Sequence, residues 1–166
     1  MVPTPIGPEP HSIVFNREGG TCQIDGFELV ICDRLAKADA INALGDFITS
    51  NRDYGNGYEW LYLHQVSFDG KKAWLSLCFF KNELEMLLIS VSLPDDTELD
   101  NWPTEETSLR QVAYMRKVLE KQLSCSMKIG HHEFSWGSAW SNFDIKGYQA
   151  SGGLRYVRAK ISAATN

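Results

Sequence analysis

This chain lacks most of the sequence marks by which a function can be recognised. No apolar run approaches the ~18 residues that a membrane-spanning helix requires, and the opening MVPTPIGPEP has neither the basic start nor the apolar centre of a signal peptide. A soluble, cytoplasmic protein is therefore expected, with no membrane partner. Cys22, Cys32, Cys78 and Cys125 are widely spaced and form no CxxC pair, so the spacing signature of a zinc site is missing. At 166 residues and 43% hydrophobic composition the chain can bury a core without crosslinks, and free thiols packed as small hydrophobic groups are expected. GxSxG, the P-loop pattern, GxGxxG and HExxH are all absent, and no cysteine stands at an evident helix start that would lower its pKa. These absences remove the main grounds for proposing an enzyme, and no cofactor is expected.

Positive charge is also in short supply. The formal charge is −5, and it is unevenly placed. Asp95, Asp96, Glu98, Asp100, Glu105 and Glu106 lie in a twelve-residue stretch without Lys or Arg, so that stretch sums to −6 and leaves +1 for the rest of the chain. Such a stretch suits a basic protein surface. Helix-start acids account for Glu105 and Glu106; Asp95, Asp96, Glu98 and Asp100 are the candidate contact residues. Tyr148, Arg155, Tyr156, Arg158 and Lys160 offer the opposite chemistry, aromatic rings beside cations that would suit a nucleic-acid strand. Given the net acidity, an edge strand with solvated charges is the preferred reading, and no nucleic-acid partner is expected.

What is present is a strong β pattern. From Tyr58 to Leu93, three runs of alternating apolar and polar residues are separated by Asp69-Gly70 and Lys81-Asn82, which predicts an antiparallel meander. Two-residue turns pair Phe68 with Lys71 and Phe80 with Glu83. Counting on from those pairs predicts a core face of Trp60, Phe79 and Leu84, then Tyr62, Leu77 and Met86, then His64, Leu75 and Leu88. The other face would carry Leu63, Trp74, Leu87 and Ile89, a candidate surface for self-association.

Residues 1–10 hold four of the six prolines and read as an extended lead-in, followed by a domain over 11–160 and a tail at 161–166. Short β segments are predicted over His11 to Phe15, Cys22 to Ile24 and Phe27 to Ile31. A helix is predicted from Leu35 to Ile48, interrupted by Gly45, and Asn51 to Gly57 reads as a turn-rich connection. The clearest helix opens at Thr104 with a stripe of Leu109, Val112, Met115, Leu119 and Leu123. The final third returns to β patterning, with Phe134, Trp136, Ser138 and Trp140 on one face and Ser135, Gly137, Ala139 and Ser141 on the other. The fold class is α+β: an antiparallel sheet of six or more strands with two helices packed on one face.

Two further candidates come from this pattern. Trp136 and Trp140 form an aromatic patch for which core packing is the preferred reading and the centre of an interface the alternative. His131-His132-Glu133 and His64 are the polar groups around which a pocket would give the alternative reading, a small enzyme or ligand-binding protein. His131 and Glu133 share a strand face while His132 does not, so the cluster falls short of a metal site and none is assigned.

The segment FSWGSAWSNFDIKGYQASGGLRYV resembles the C-terminal signature of small bacterial proteins in which a Trp-Gly segment precedes an aromatic-Asp-x-Lys-Gly turn and a last strand ending in Arg-Tyr. Proteins of this look include immunity proteins, which neutralise toxins used in bacterial competition. The resemblance implies a non-enzymatic binding protein with a toxin as its basic partner, and it carries no catalytic residue across.

Overall fold

The computed structural model describes residues 11–157. The lead-in at 1–10, Arg158, Lys160 and the tail at 161–166 lie outside the described residues. In chain order the strands are β1 (Ile13–Asn16), β2 (Thr21–Ile24), β3 (Val30–Ile31), β4 (Ile48–Asp53), β5 (Tyr58–Leu63), β6 (Val66–Phe68), β7 (Lys71–Phe80), β8 (Glu83–Ser92), β9 (Glu98–Leu99), β10 (Trp102–Pro103), β11 (His131–Phe134), β12 (Gly137–Asp144) and β13 (Gln149–Tyr156). The helices are α1 (Lys37–Leu44) and α2 (Glu105–Leu123). The architecture is α+β, built on an eight-stranded antiparallel sheet in the order β11-β12-β13-β8-β7-β5-β4, with β6 also pairing β7.

One row of side chains shows why the sheet has a covered face. Leu61, Leu77, Leu87, Leu154 and Ala139 are successive cross-strand partners, and all are buried. Against this face pack α2, the small β1-β2-β3 sheet and α1. The small residues of β12 and β13 let α2 come close: the Ser141 hydroxyl donates to the Val112 carbonyl at 2.7 Å, and Arg116 donates to the Ser141 carbonyl at 2.9 Å. Phe15 meets Phe68 edge-on, while its N–H donates to Gln122 at 2.8 Å, tying β1 to α2. Lys37 at the start of α1 is ion-paired with Glu59 of β5.

Both meander turns close as predicted, pairing Phe68 with Lys71 and Phe80 with Glu83. The predicted rows beyond them do not hold. Phe79 faces Leu84 but Cys78 faces Met86, so Glu85 is an extra residue. Between Val66 opposite Ala73 and Tyr62 opposite Ser76, β5–β6 likewise carries one residue more than β7. Each bulge reverses which side chains reach the core. Leu61, Leu63, Leu87 and Ile89 are consequently buried, whereas Trp60, Tyr62, Met86 and Leu88 lie on the uncovered face with Trp74. The proposed self-association surface of Leu63, Trp74, Leu87 and Ile89 therefore does not exist as one face.

Other expectations change at boundaries. Gly45 ends α1 at φ 50, a short 3-10 turn follows, and the chain enters β4, so 48–53 is an edge strand rather than a helix end and loop. Ala36 caps α1 without a side-chain hydrogen bond. Thr104 caps α2 as expected, accepting from the Thr107 N–H at 3.2 Å, but Leu109 is exposed and Thr107 and Ser108 are buried in its stead. No helix among the described residues is long and apolar enough to cross a membrane.

The C-terminal hairpins join the meander only where Gly152–Arg155 pairs with Met86–Ile89. At Gly153 an added Cβ would lie 1.9 Å from the Leu87 carbonyl oxygen and 3.1 Å from the Trp140 ring. Gly153→Ala is expected to cost about 2 kcal/mol or more through this clash. Urea unfolding checks it, and an unchanged midpoint would contradict the role given to this seam.

Candidate functional site

The acidic stretch folds into a small protruding hairpin. Asp100 and Asn101, at φ 53 and 64, make the turn between β9 and β10, a left-handed pair of the type I′ kind. Leu99 and Trp102 are direct partners across it and so share one side. The hairpin is pinned at its base. The Thr97 N–H donates to the Thr107 hydroxyl at 2.9 Å, the Thr104 N–H donates to the Thr97 carbonyl at 3.1 Å, and the Thr97 and Thr104 hydroxyls bond at 3.0 Å. The Trp102 indole N–H donates to the Tyr148 carbonyl at 3.2 Å, and the Tyr148 hydroxyl donates to Glu105 at 3.3 Å. Tyr148 stands edge-on to Phe143.

These bonds assemble a surface that no single segment carries. Leu99, Trp102 and Tyr148 are 71%, 48% and 50% exposed, and Leu109 is exposed one turn beyond Glu105. Around them Asp95, Glu98, Asp100, Glu105 and Glu106 are exposed to solvent. Large apolar side chains held in water beside carboxylates of one sign make this the candidate surface of the structure. Holding them in place beforehand lowers the entropy lost on binding.

Of the four acidic contact candidates, Asp95, Glu98 and Asp100 stand in this patch. Asp96 does not. Its carboxylate turns inward, accepting from the Leu93 N–H at 2.8 Å and from Gln111 Nε2 at 2.9 Å, with Arg110 Nη2 4.0 Å from its other oxygen. Asp96 holds the loop to α2, and Arg110 adds a bond of 2.6 Å to the Asp95 carbonyl.

The aromatic pair is split. Ser135 and Trp136 form the turn between β11 and β12, so the two tryptophans fall on opposite faces of the sheet. Trp136 stacks on Phe134 at 4.7 Å and 7°, packs against Tyr156, lies over Gly20, and donates its indole N–H to the Arg17 carbonyl at 2.8 Å. It fastens the N-terminal hairpin. Trp140 lies on the uncovered face over Gly153, with the Arg155 guanidinium 5.8 Å from its ring.

The histidines do not converge either. His64 is exposed at the β5–β6 bulge beside Phe47, not in the core, and His131 lies on β11. Four strands separate β5 from β11, roughly 24 Å at ~4.8 Å per strand. His131 and Glu133 are exposed on one side of β11, while His132 bonds the Ser126 carbonyl at 3.1 Å. No group of three metal-ligating side chains occurs among the described residues. The aromatic-basic candidates are scattered as well: β13 is an interior strand, not an edge, Tyr156 is buried with its hydroxyl donating to the Gly20 carbonyl at 2.6 Å, and Tyr148 sits in a turn.

No protein-family model matches the chain, and no curated protein or solved structure matches it either.

No disulfide joins the cysteines among the described residues. Burial pushes the Cys22 thiol far above its ordinary 9.0; burial and then Asp33 raise Cys32, and burial and then Glu120 raise Cys125. Burial also drives Tyr156 far upward from 10.0 and raises Tyr62.

The sequence reading missed Leu99 and Trp102, and it grouped Tyr148 with the basic residues of the last strand rather than with the acidic hairpin. Asp100-Asn101 between Leu99 and Trp102 is the turn signal that would have found the first two.

Two outcomes follow from this geometry. Asp96→Ala is expected to cost about 1–3 kcal/mol by stripping two partners of their acceptor, while Asp95→Ala, Glu98→Ala and Asp100→Ala stay within about 0.5 kcal/mol of the parent in urea unfolding. Equal effects at all four would contradict the division. For pH, the raised Cys22 and Tyr156 values mean that the unfolded chain releases protons first. Their contribution is fully present below the ordinary thiol value of 9.0 and is lost as pH climbs above it. Unfolding midpoints measured between pH 8 and 11 should fall, and Cys22→Ala should flatten part of that fall.

Proposed function

We propose that this chain is a non-enzymatic binding protein that engages a basic protein partner through the acidic hairpin patch, in the manner of a bacterial immunity protein blocking a toxin in the cytoplasm. The observation that carries this reading is the pairing of exposed Trp102, Tyr148 and Leu99 with five exposed carboxylates on one hydrogen-bonded scaffold. Tryptophan and tyrosine supply much of the affinity at interface centres, and a single-sign rim speeds encounter with an oppositely charged surface. Blocking by contact needs no chemistry from the binder, only a surface that outlasts the encounter. The patch replaces Trp136 and Trp140 as the aromatic component, since Trp136 is committed to internal packing.

The test is affinity capture at low and then high salt, followed by kinetics with the recovered partner. One basic protein is expected, bound by the parent and released by salt. Asp95→Lys, Glu98→Lys and Asp100→Lys together should slow association at least about tenfold, and Trp102→Ala should cost about 2 kcal/mol, mainly in dissociation rate. An unchanged affinity and association rate after charge reversal would defeat the proposal.

A further inference from the structure

Beyond Ile89 and Gly152 the strands β8 and β13 part: Ser90–Ser92 continues alongside β7, and Gln149–Ser151 alongside β12. The gap between them is a cavity of about 280 Å³ that reaches the foot of the acidic hairpin. Trp74 and Ser90 form one wall, Gln149 another, Gln111 comes from α2, and Asp96 and Glu98 come from the hairpin side. Two of its lining residues are carboxylates, and none is a Lys, Arg or His. Asp96 is held in place by the Leu93 N–H and Gln111 through one oxygen, while its Oδ1 receives no hydrogen bond and has Arg110 Nη2 4.0 Å away. Trp74, on the uncovered face of the sheet, keeps 39% of its surface exposed.

An aromatic ring, two carboxylates and several neutral oxygens around one opening make a receptor for an organic cation. From this cavity we infer that the partner inserts an arginine side chain here, its guanidinium stacked on Trp74 and hydrogen-bonded to Glu98. Arginine suits the site better than lysine, because a planar guanidinium stacks on an indole and presents several donors at once to a carboxylate, whereas an ammonium is a compact, strongly hydrated charge. This inference rests on the reading of the acidic patch as the docking surface, and it names the residue that the partner contributes beside it.

The probe is N-acetyl-arginine methylamide, titrated into the full chain while the tryptophan indole N–H signals are followed by NMR, with Trp74 assigned through Trp74→Phe. The Trp74 signal should move saturably at millimolar probe, Trp102 should move little, and Glu98→Gln should weaken binding roughly tenfold. Glu98 is exposed, so that variant leaves the fold intact. No saturable shift at Trp74 overturns the inference. So does an equal response to N-acetyl-lysine methylamide, which would reduce the site to a general cation attractor. The two readings fail separately: probe binding with a partner indifferent to Asp95→Lys with Asp100→Lys, a pair outside the cavity that leaves Glu98 in place, defeats only the acidic docking surface, and partner binding without a probe response defeats only the arginine site.

Discussion

The close approach permitted by Gly152 and Gly153 is the constraint on which the rest of this structure depends. These two residues lie where the C-terminal hairpins meet the meander, paired with Ile89 and Leu88. Met115 of α2 comes down on Gly152 from the covered face, where an added Cβ would be 3.1 Å from its sulfur, and Trp140 lies over Gly153 on the other face. A side chain at Gly152 would push the helix away from the sheet, and one at Gly153 would collide with the Leu87 carbonyl of β8 and crowd the indole. Because successive strand residues point to opposite faces, a Gly-Gly pair clears both sides at once. The seam thus fixes α2 against β12 and β13, and with α2 it fixes everything attached to the start of that helix.

The acidic hairpin is one of those attachments. Asp96 and the threonines at 97, 104 and 107 bind the loop to the first turns of α2, and Trp102 reaches across to the turn before β13. The patch therefore draws on three separate parts of the chain whose relative positions the seam sets. Its acids are divided by role: Asp96 is spent on holding the loop, which leaves Asp95, Glu98 and Asp100 to face solvent. The same divergence of β8 from β13 that ends the seam opens the cavity beside Trp74.

Much of the fold was legible from sequence because its signals are local. Alternation gave the long strands, Asp69-Gly70 and Lys81-Asn82 gave the turns, and Thr104 with Glu105 and Glu106 gave the start of α2. Side-chain direction was not legible, because a bulge such as the one at Glu85 leaves no mark in the hydrophobic pattern and yet reverses every residue beyond it. Leu61 and Leu63 thereby took the buried positions expected of Trp60 and Tyr62. The site was legible only as charge. That Asp96 turns inward depends on Gln111, fifteen residues away, and Trp102 gains its setting from Tyr148, forty-six residues away. Trp136 and Trp140 misled for a local reason: a two-residue turn at Ser135-Trp136 breaks the alternation that had placed them together.

Amide hydrogen exchange of the protein alone and in complex with its basic partner is the measurement that bears most directly on the acidic hairpin as the docking surface. Exchange should slow on binding over residues 95–109 and around Tyr148, with β5, which carries Trp60 and Tyr62, unchanged. Slowing confined to β5, with the hairpin exchanging as it does in the free protein, would place the partner on the uncovered face of the sheet and contradict the account.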